Sequence, residues 1–140
     1  MFRVGSIFIP VTNIEKSAEW YERNLGVKKI EDWGDGAGFY FPDSSTQFGL
    51  VEVETLQSTE FITKGNRKNC YFNFLVKDIE AAYHKLNRNG VATTAIEDFN
   101  GMKYFDFFDL DNNTFSVVDE PVDSPFHREN VKRMQQNILD

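Results

Sequence analysis

The chain has 140 residues, a net charge of −7, 41% hydrophobic and 26% charged side chains, and one cysteine, Cys70. That size and balance describe one soluble globular domain, or two half-domains sharing a core. The acidic balance excludes a nucleic-acid role, which needs a basic face, and no run reaches the roughly 18 apolar residues that span a bilayer. Cys70 has no partner for an internal disulfide and fits a reducing cytoplasm. The first residues, Met1-Phe2-Arg3-Val4, run straight into a strand pattern, so no signal peptide is expected.

Taken in chain order, Ile7, Ile9 and Val11 alternate with Ser6, Phe8 and Pro10, the period of a strand with two distinct faces. Asn13 is placed to cap a helix carrying Ile14, Ala18, Tyr21 and Leu25 at helical spacing, and Gly26 ends it. Strands follow at about 27–33, 38–42 and 47–54, separated by Gly34-Asp35-Gly36 and Asp43-Ser44-Ser45. Residues 55–69 are polar, contain Gly65-Asn66 and read as a connector. The order then returns: a strand at 71–76, a helix capped by Asp78 with Ile79, Ala82, Tyr83 and Leu86 on its core side, Gly90 as its end, and strands at 91–96, 102–108 and 114–119. Pro121 and Pro125 lead into a polar helix at about 125–139 with a thin stripe of Val131, Met134 and Ile138.

The second half repeats the first. Val11, Asn13, Ile14 and Glu15 recur as Val76, Asp78, Ile79 and Glu80, spaced 65 residues apart. A repeat of strand, capped helix and strands sets the architecture before any local assignment. The expected fold is α+β: two tandem βαβββ modules forming a curved, eight-stranded open barrel around a cleft, plus a C-terminal helix. One domain covers 1–121, with module one at 1–55, the connector at 56–69 and module two at 70–121. A helical tail follows at 122–140.

Three segments resemble the vicinal oxygen chelate superfamily, which includes glyoxalases, bleomycin-resistance proteins, fosfomycin-resistance enzymes and extradiol dioxygenases. They are Val11-Thr12-Asn13-Ile14-Glu15-Lys16-Ser17 running on through Trp20-Tyr21 to Asn24-Leu25-Gly26, Val76-Lys77-Asp78-Ile79-Glu80-Ala81-Ala82, and Phe108-Asp109-Leu110-Asp111-Asn112-Asn113. The resemblance covers about residues 5–120. It implies that strands of both modules curve round one cleft, and that family enzymes hold a divalent metal there with four ligands. Carried over, those ligand positions fall on Ser6, Tyr71, Ser116 and, with a one-residue ambiguity of register, Phe48 or Gly49. None is a usual donor for Zn²⁺, Fe²⁺ or Mn²⁺, which take imidazole, thiolate or carboxylate. The two histidines do not compensate: His84 lies within the second helix and His127 in the tail. Glu52 and Asp106 are the conceivable substitutes.

Strand parity puts Ser6, Phe8, Tyr71, Asn73, Leu75, Thr114, Ser116 and Val118 on the side away from the helices. The expected ligand-binding set is Ser6, Phe8, Phe48, Tyr71, Asn73 and Ser116, an aromatic and neutral surface of the kind that holds small molecules. Trp20, Trp33 and Tyr40 are further aromatic candidates. A buried amide at Asn73 would need partners, which favours a pocket over a packed core. Gly34-Asp35-Gly36-Ala37-Gly38 lies between strands, not before a helix, and so is no phosphate cradle.

The expectation is therefore a cytoplasmic, metal-free protein, without cofactor, that sequesters an aromatic or amphiphilic small molecule. Whether it is also an enzyme is left open by the residues. The alternative is a metal-dependent lyase, isomerase or transferase with nonstandard ligands, and a third reading is an interaction module docking through its C-terminal helix. The resemblance implies a homodimer.

Overall fold

A computed structural model describes residues 1–139. Asp140, the end of the expected tail, lies outside them. The fold is α+β, with two four-stranded mixed sheets, three helices and no closed barrel among the described residues. The chain forms two compact units: Met1–Tyr71 with Phe108–Thr114, and Phe72–Phe107 with the chain from Phe115 on.

In the first unit, β1 (Ser6–Val11) leads to α1 (Ile14–Leu25), then β2 (Lys28–Asp32), β3 (Gly36–Tyr40) and β4 (Gln47–Glu52). The sheet order is β1-β4-β3-β2, with β1 parallel to β4 and the other pairs antiparallel. The Asn13 side chain accepts the Lys16 amide at 3.0 Å, which satisfies an orphan donor at the start of α1. Gly26, at φ 72°, turns the chain out of the helix in the left-handed conformation glycine adopts without strain. Ala18 and Tyr21 face Ile9, Val11, Phe39, Phe48 and Leu50, all buried. The outer strand β2 is exposed along its length and carries Lys28, Lys29, Glu31 and Asp32, charges that discourage pairing along that edge.

The connector holds structure that was not expected. Strands β5 (Glu60–Ile62) and β6 (Lys68–Cys70) form a hairpin whose turn includes Asn66 at φ 58°. Its polar residues lack the alternation that announces a half-buried strand, so only the Gly65-Asn66 turn chemistry was readable.

In the second unit, β7 (Asn73–Leu75) precedes α2 (Ile79–Arg88), followed by β8 (Glu97–Phe99), β9 (Met102–Phe108) and β10 (Thr114–Asp119), in the order β7-β10-β9-β8. Asp78 accepts the Ala81 amide at 3.0 Å, the counterpart of the Asn13 cap. Phe72, Phe74, Phe107 and Phe115 pack ring against ring, with centroids 5.4–6.0 Å apart in the Phe72–Phe115 and Phe74–Phe107 pairs, and Ile79 and Leu86 of α2 are buried. The strand expected at 91–96 is not formed there, and the strand of this region is the short β8, which begins only at Glu97. Toward β9, residues 91–96 make an isolated bridge, Thr93 to Phe107, and a tie between Thr94 and Asp106. The last helix, α3 (Arg128–Leu139), starts three residues after Pro125.

Candidate functional site

On the first sheet, register decides which side chains stand opposite α1. Ser6, Phe8 and Pro10 of β1 pair with Gln47, Gly49 and Val51 of β4, which pair in turn with Tyr40, Gly38 and Gly36 of β3. All nine therefore share the open face. Gly49 lies at the centre of that patch with Gly38 and Gly36 along its β3 side, and two rings fill the space they leave. A Cβ on Gly49 would sit 2.7 Å from the Phe8 ring, and one on Gly36 would sit 2.3 Å from the indole of Trp33, closer than real Cβ atoms approach. The Phe8 and Trp33 rings thus lie against bare backbone, yet stay 60% and 53% exposed. Tyr40, on the same face, is 46% exposed. Trp33 is held at the mouth of the β2–β3 turn, where its amide donates to the Gly36 carbonyl at 2.9 Å. The result is an aromatic shelf on a sheet, with no side chain beneath its rings.

Phe48 must be removed from the expected set. It is 1% exposed and lies on the α1 side, its ring centroid 5.0 Å from Tyr21 and 5.8 Å from Phe41. Gly49 takes the open-face position. The hairpin length between β3 and β4 left a one-residue ambiguity, and a one-residue slip exchanges the faces. Ser6 and Phe8 are exposed on the open side. Tyr71, 66% exposed, belongs to the first unit beside the β5–β6 hairpin, its ring centroid 5.0 Å from Phe61. The glycines at 36, 38 and 49 were visible in the sequence. Gly36 and Gly38 alternate at strand period, which would have marked a face without side chains had Gly36 not read as part of a turn.

In the second unit, Asn73 and Ser116 are direct neighbours across β7 and β10. Asn73 is exposed, so the reasoning from a buried amide does not apply to it. The Ser116 hydroxyl donates to Asp106 at 2.6 Å. Of the other residues expected on that face, Leu75 is exposed, whereas Thr114 and Val118 are buried. The Thr59 hydroxyl donates to the Thr114 carbonyl at 3.2 Å.

One buried polar cluster was missed altogether. Asp109 accepts four hydrogen bonds: from the Tyr21 hydroxyl at 2.5 Å and the Asn113 amide group at 2.8 Å on one oxygen, and from the backbone N–H of Asp111 and Asn113 on the other. Asn113 also donates to the Pro10 carbonyl, and Asp111 accepts from the backbone and hydroxyl of Thr12. The Asp109–Asn113 turn is thereby bound to β1 and α1. Burial raises the Asp109 carboxyl above its ordinary 3.8, and the four donated hydrogen bonds only partly oppose this. Burial, together with the Asp109 charge, holds the Tyr21 phenol well above 10, so Tyr21 stays a donor. Asp111-Asn112-Asn113 is ordinary turn chemistry, and nothing in the residue pattern marks the preceding Asp109 carboxylate as buried.

The residues do not fit a divalent ion. Ser6, Gly49, Tyr71 and Ser116 offer no charged donor. Glu52 is used at the start of α1, where it accepts the Ile14 amide at 3.1 Å, and Asp106 is used by Ser116. Among the described residues, no group of three or more His, Cys, Asp or Glu is placed to hold a metal.

The sequence matches the Glyoxalase/Bleomycin resistance protein/Dioxygenase superfamily over residues 3–117. The chain belongs to this superfamily. Among solved structures, it is similar to a superfamily member from Sphaerobacter thermophilus at 25% identity and TM-score 0.71, covering 86% of this chain and 98% of that one. It is also similar in fold to TnmS3, an antibiotic binding protein from a Streptomyces species, at 17% identity and TM-score 0.71, over 86% and 98% of the two chains. A third is the fosfomycin resistance protein FosX from Listeria monocytogenes, at 14% identity and TM-score 0.68, over 87% and 96%. No curated protein matches. Among the described residues no helix is long and apolar enough to cross a membrane.

Proposed function

We propose that this superfamily member is a cytoplasmic, homodimeric, metal-free binding protein that sequesters a flat aromatic or amphiphilic small molecule on the open face of its first sheet. The observation that carries the reading is the pair of exposed rings, Phe8 and Trp33, seated on Gly49 and Gly36. Large rings left exposed on a rigid sheet are a preorganised stacking surface. Each aromatic pair adds about 0.5–1.5 kcal/mol beyond the area it buries. Tyr40, Ser6 and Gln47 on the same face supply hydroxyls and an amide to orient the ligand, and Tyr71 of the same unit is a further proposed contact. Asn73 and Ser116 are proposed as a separate polar pair on the face of the second sheet. The net charge of −7 favours neutral or cationic ligands. The superfamily, together with folds shared with an antibiotic binding protein and a fosfomycin resistance protein, supports a small-molecule role.

The test is a panel of aromatic antibiotics and planar metabolites, scored by thermal shift and by quenching of Trp33 emission. A binder should raise the melting temperature and quench Trp33, and Trp33→Ala should weaken it at least fivefold, the equivalent of about 1 kcal/mol. A binder whose affinity is unchanged in Trp33→Ala and Phe8→Ala would sink the reading, as would a panel without any binder.

A further inference from the structure

We infer that α3 of one copy docks in the groove between α1 and β2 of a second copy, and that two copies exchange this helix reciprocally. The proposal rests on the homodimer reading above and assigns it a surface. The groove has a volume of about 390 Å³. Its floor is small and apolar, formed by Ile14, Ala18 and Ala37. Its rim is a line of Glu15, Glu19 and Glu22, spaced four and three residues apart and so on one side of α1. Lys29, the cation of the groove, is paired with Asp32 at 3.4 Å, which leaves the glutamate line uncompensated within it.

The occupant matches in chemistry and in length. Met134 and Ile138 of α3 are 50% and 84% exposed, and with half-buried Val131 they form one stripe. Arg128 lies three residues before Val131, beside that stripe. The helix holds three basic residues against one acidic, and with Lys132 paired to Glu129 at 3.6 Å, Arg128 keeps its charge for a partner. The apolar stripe from Val131 to Ile138 and the acidic line from Glu15 to Glu22 each extend over about seven helical rises, about 10.5 Å of helix. Laying α3 along α1 inserts Met134 and Ile138 over Ala18 and Ala37 and brings Arg128 to the glutamates. A one-way contact would propagate into a chain of copies, whereas reciprocal exchange closes at two.

The full-length protein should be a dimer by light scattering at 50 µM in 0.1 M salt, a condition set by the roughly 10 Å reach of charges at that ionic strength. Glu15→Lys/Glu19→Lys and Arg128→Glu should each weaken the dimer at least tenfold. An equimolar mixture of the two variants should restore it, because each helix then meets a groove of opposite sign. Ile138→Asp should dissociate the dimer through the apolar stripe alone. Monomeric wild-type protein would overturn both this proposal and the homodimer reading. A wild-type dimer that survives both charge reversals, or a mixture that fails to re-form it, would overturn the helix exchange and leave the homodimer standing. All the substituted side chains are exposed, so far-UV circular dichroism should be unchanged throughout.

Discussion

Gly36 and Gly49 are where single residues shape the candidate site, because a methyl group at either would occupy the volume of a ring. Trp33 is exposed at the edge of the sheet and can swing away. Gly36→Ala should therefore unfold no more easily than wild type by more than about 1 kcal/mol, within the range of a tolerated strand substitution. It should nonetheless shift Trp33 emission and weaken any aromatic ligand. An unaltered emission spectrum would show that the indole does not lie on Gly36. Asp109 gives a second prediction, with a definite sign. Its folded-state carboxyl is raised above 3.8, so the stability it contributes is fully present below that value and is lost as pH rises through the raised one. Stability measured relative to Asp109→Asn should accordingly fall as pH climbs above 3.8. Urea titrations between pH 3 and 7 would reveal this, and a rise over the same window would mean that the four donors outweigh burial. The sequence could not disclose either feature. Glycines look alike in a turn and beneath a ring, and the burial of Asp109 depends on Tyr21, 88 residues earlier.

At the scale of elements, the two helix starts are the best-read features of the chain. Asn13 and Asp78 were recognised as caps from residue type and position, and each accepts the backbone N–H three residues on at 3.0 Å. Asn13→Ala and Asp78→Ala should each cost about 1 kcal/mol. The caps share no hydrogen-bond partner, so the double variant should lose the sum, about 2 kcal/mol by chemical denaturation. A double variant no less stable than either single one would mean that the helix starts are held by something else. Strands with clean alternation, such as 6–11, were equally readable, because period two has a single physical meaning when one face is buried. The errors fell where that signal fades. Val91 and Ile96 suggested a strand at 91–96, but the pairing with β9 is made by the exposed, charged Glu97–Phe99. The β5–β6 hairpin was invisible for the same reason. Phe48 and Gly49 exchanged roles because parity tells the two faces of a strand apart only once its register is fixed.

At the scale of the molecule, the composition of the open faces bears on what can bind, and metal and organic ligand make opposite demands. A divalent ion needs three or four anionic or imidazole donors at about 2.0–2.3 Å from one point. The positions that the superfamily resemblance assigns to ligands hold two serines, a tyrosine and a glycine, while Glu52 and Asp106 are already hydrogen-bonded elsewhere. An aromatic ligand needs only exposed rings on a rigid backing, which Phe8 and Trp33 provide. Protein purified without an affinity tag should contain far less than one equivalent of Zn, Ni, Mn or Fe by elemental analysis. Dialysis against a chelator should leave its melting temperature unchanged, and so should added Zn²⁺. An organic ligand at one hundred times its dissociation constant should stabilise the fold by about 2.7 kcal/mol, which moves the melting temperature by several degrees. Stoichiometric metal whose removal lowers the melting temperature would overturn the metal-free reading. The Trp33 quenching experiment would still stand as an independent test of the shelf, since its readout involves no metal.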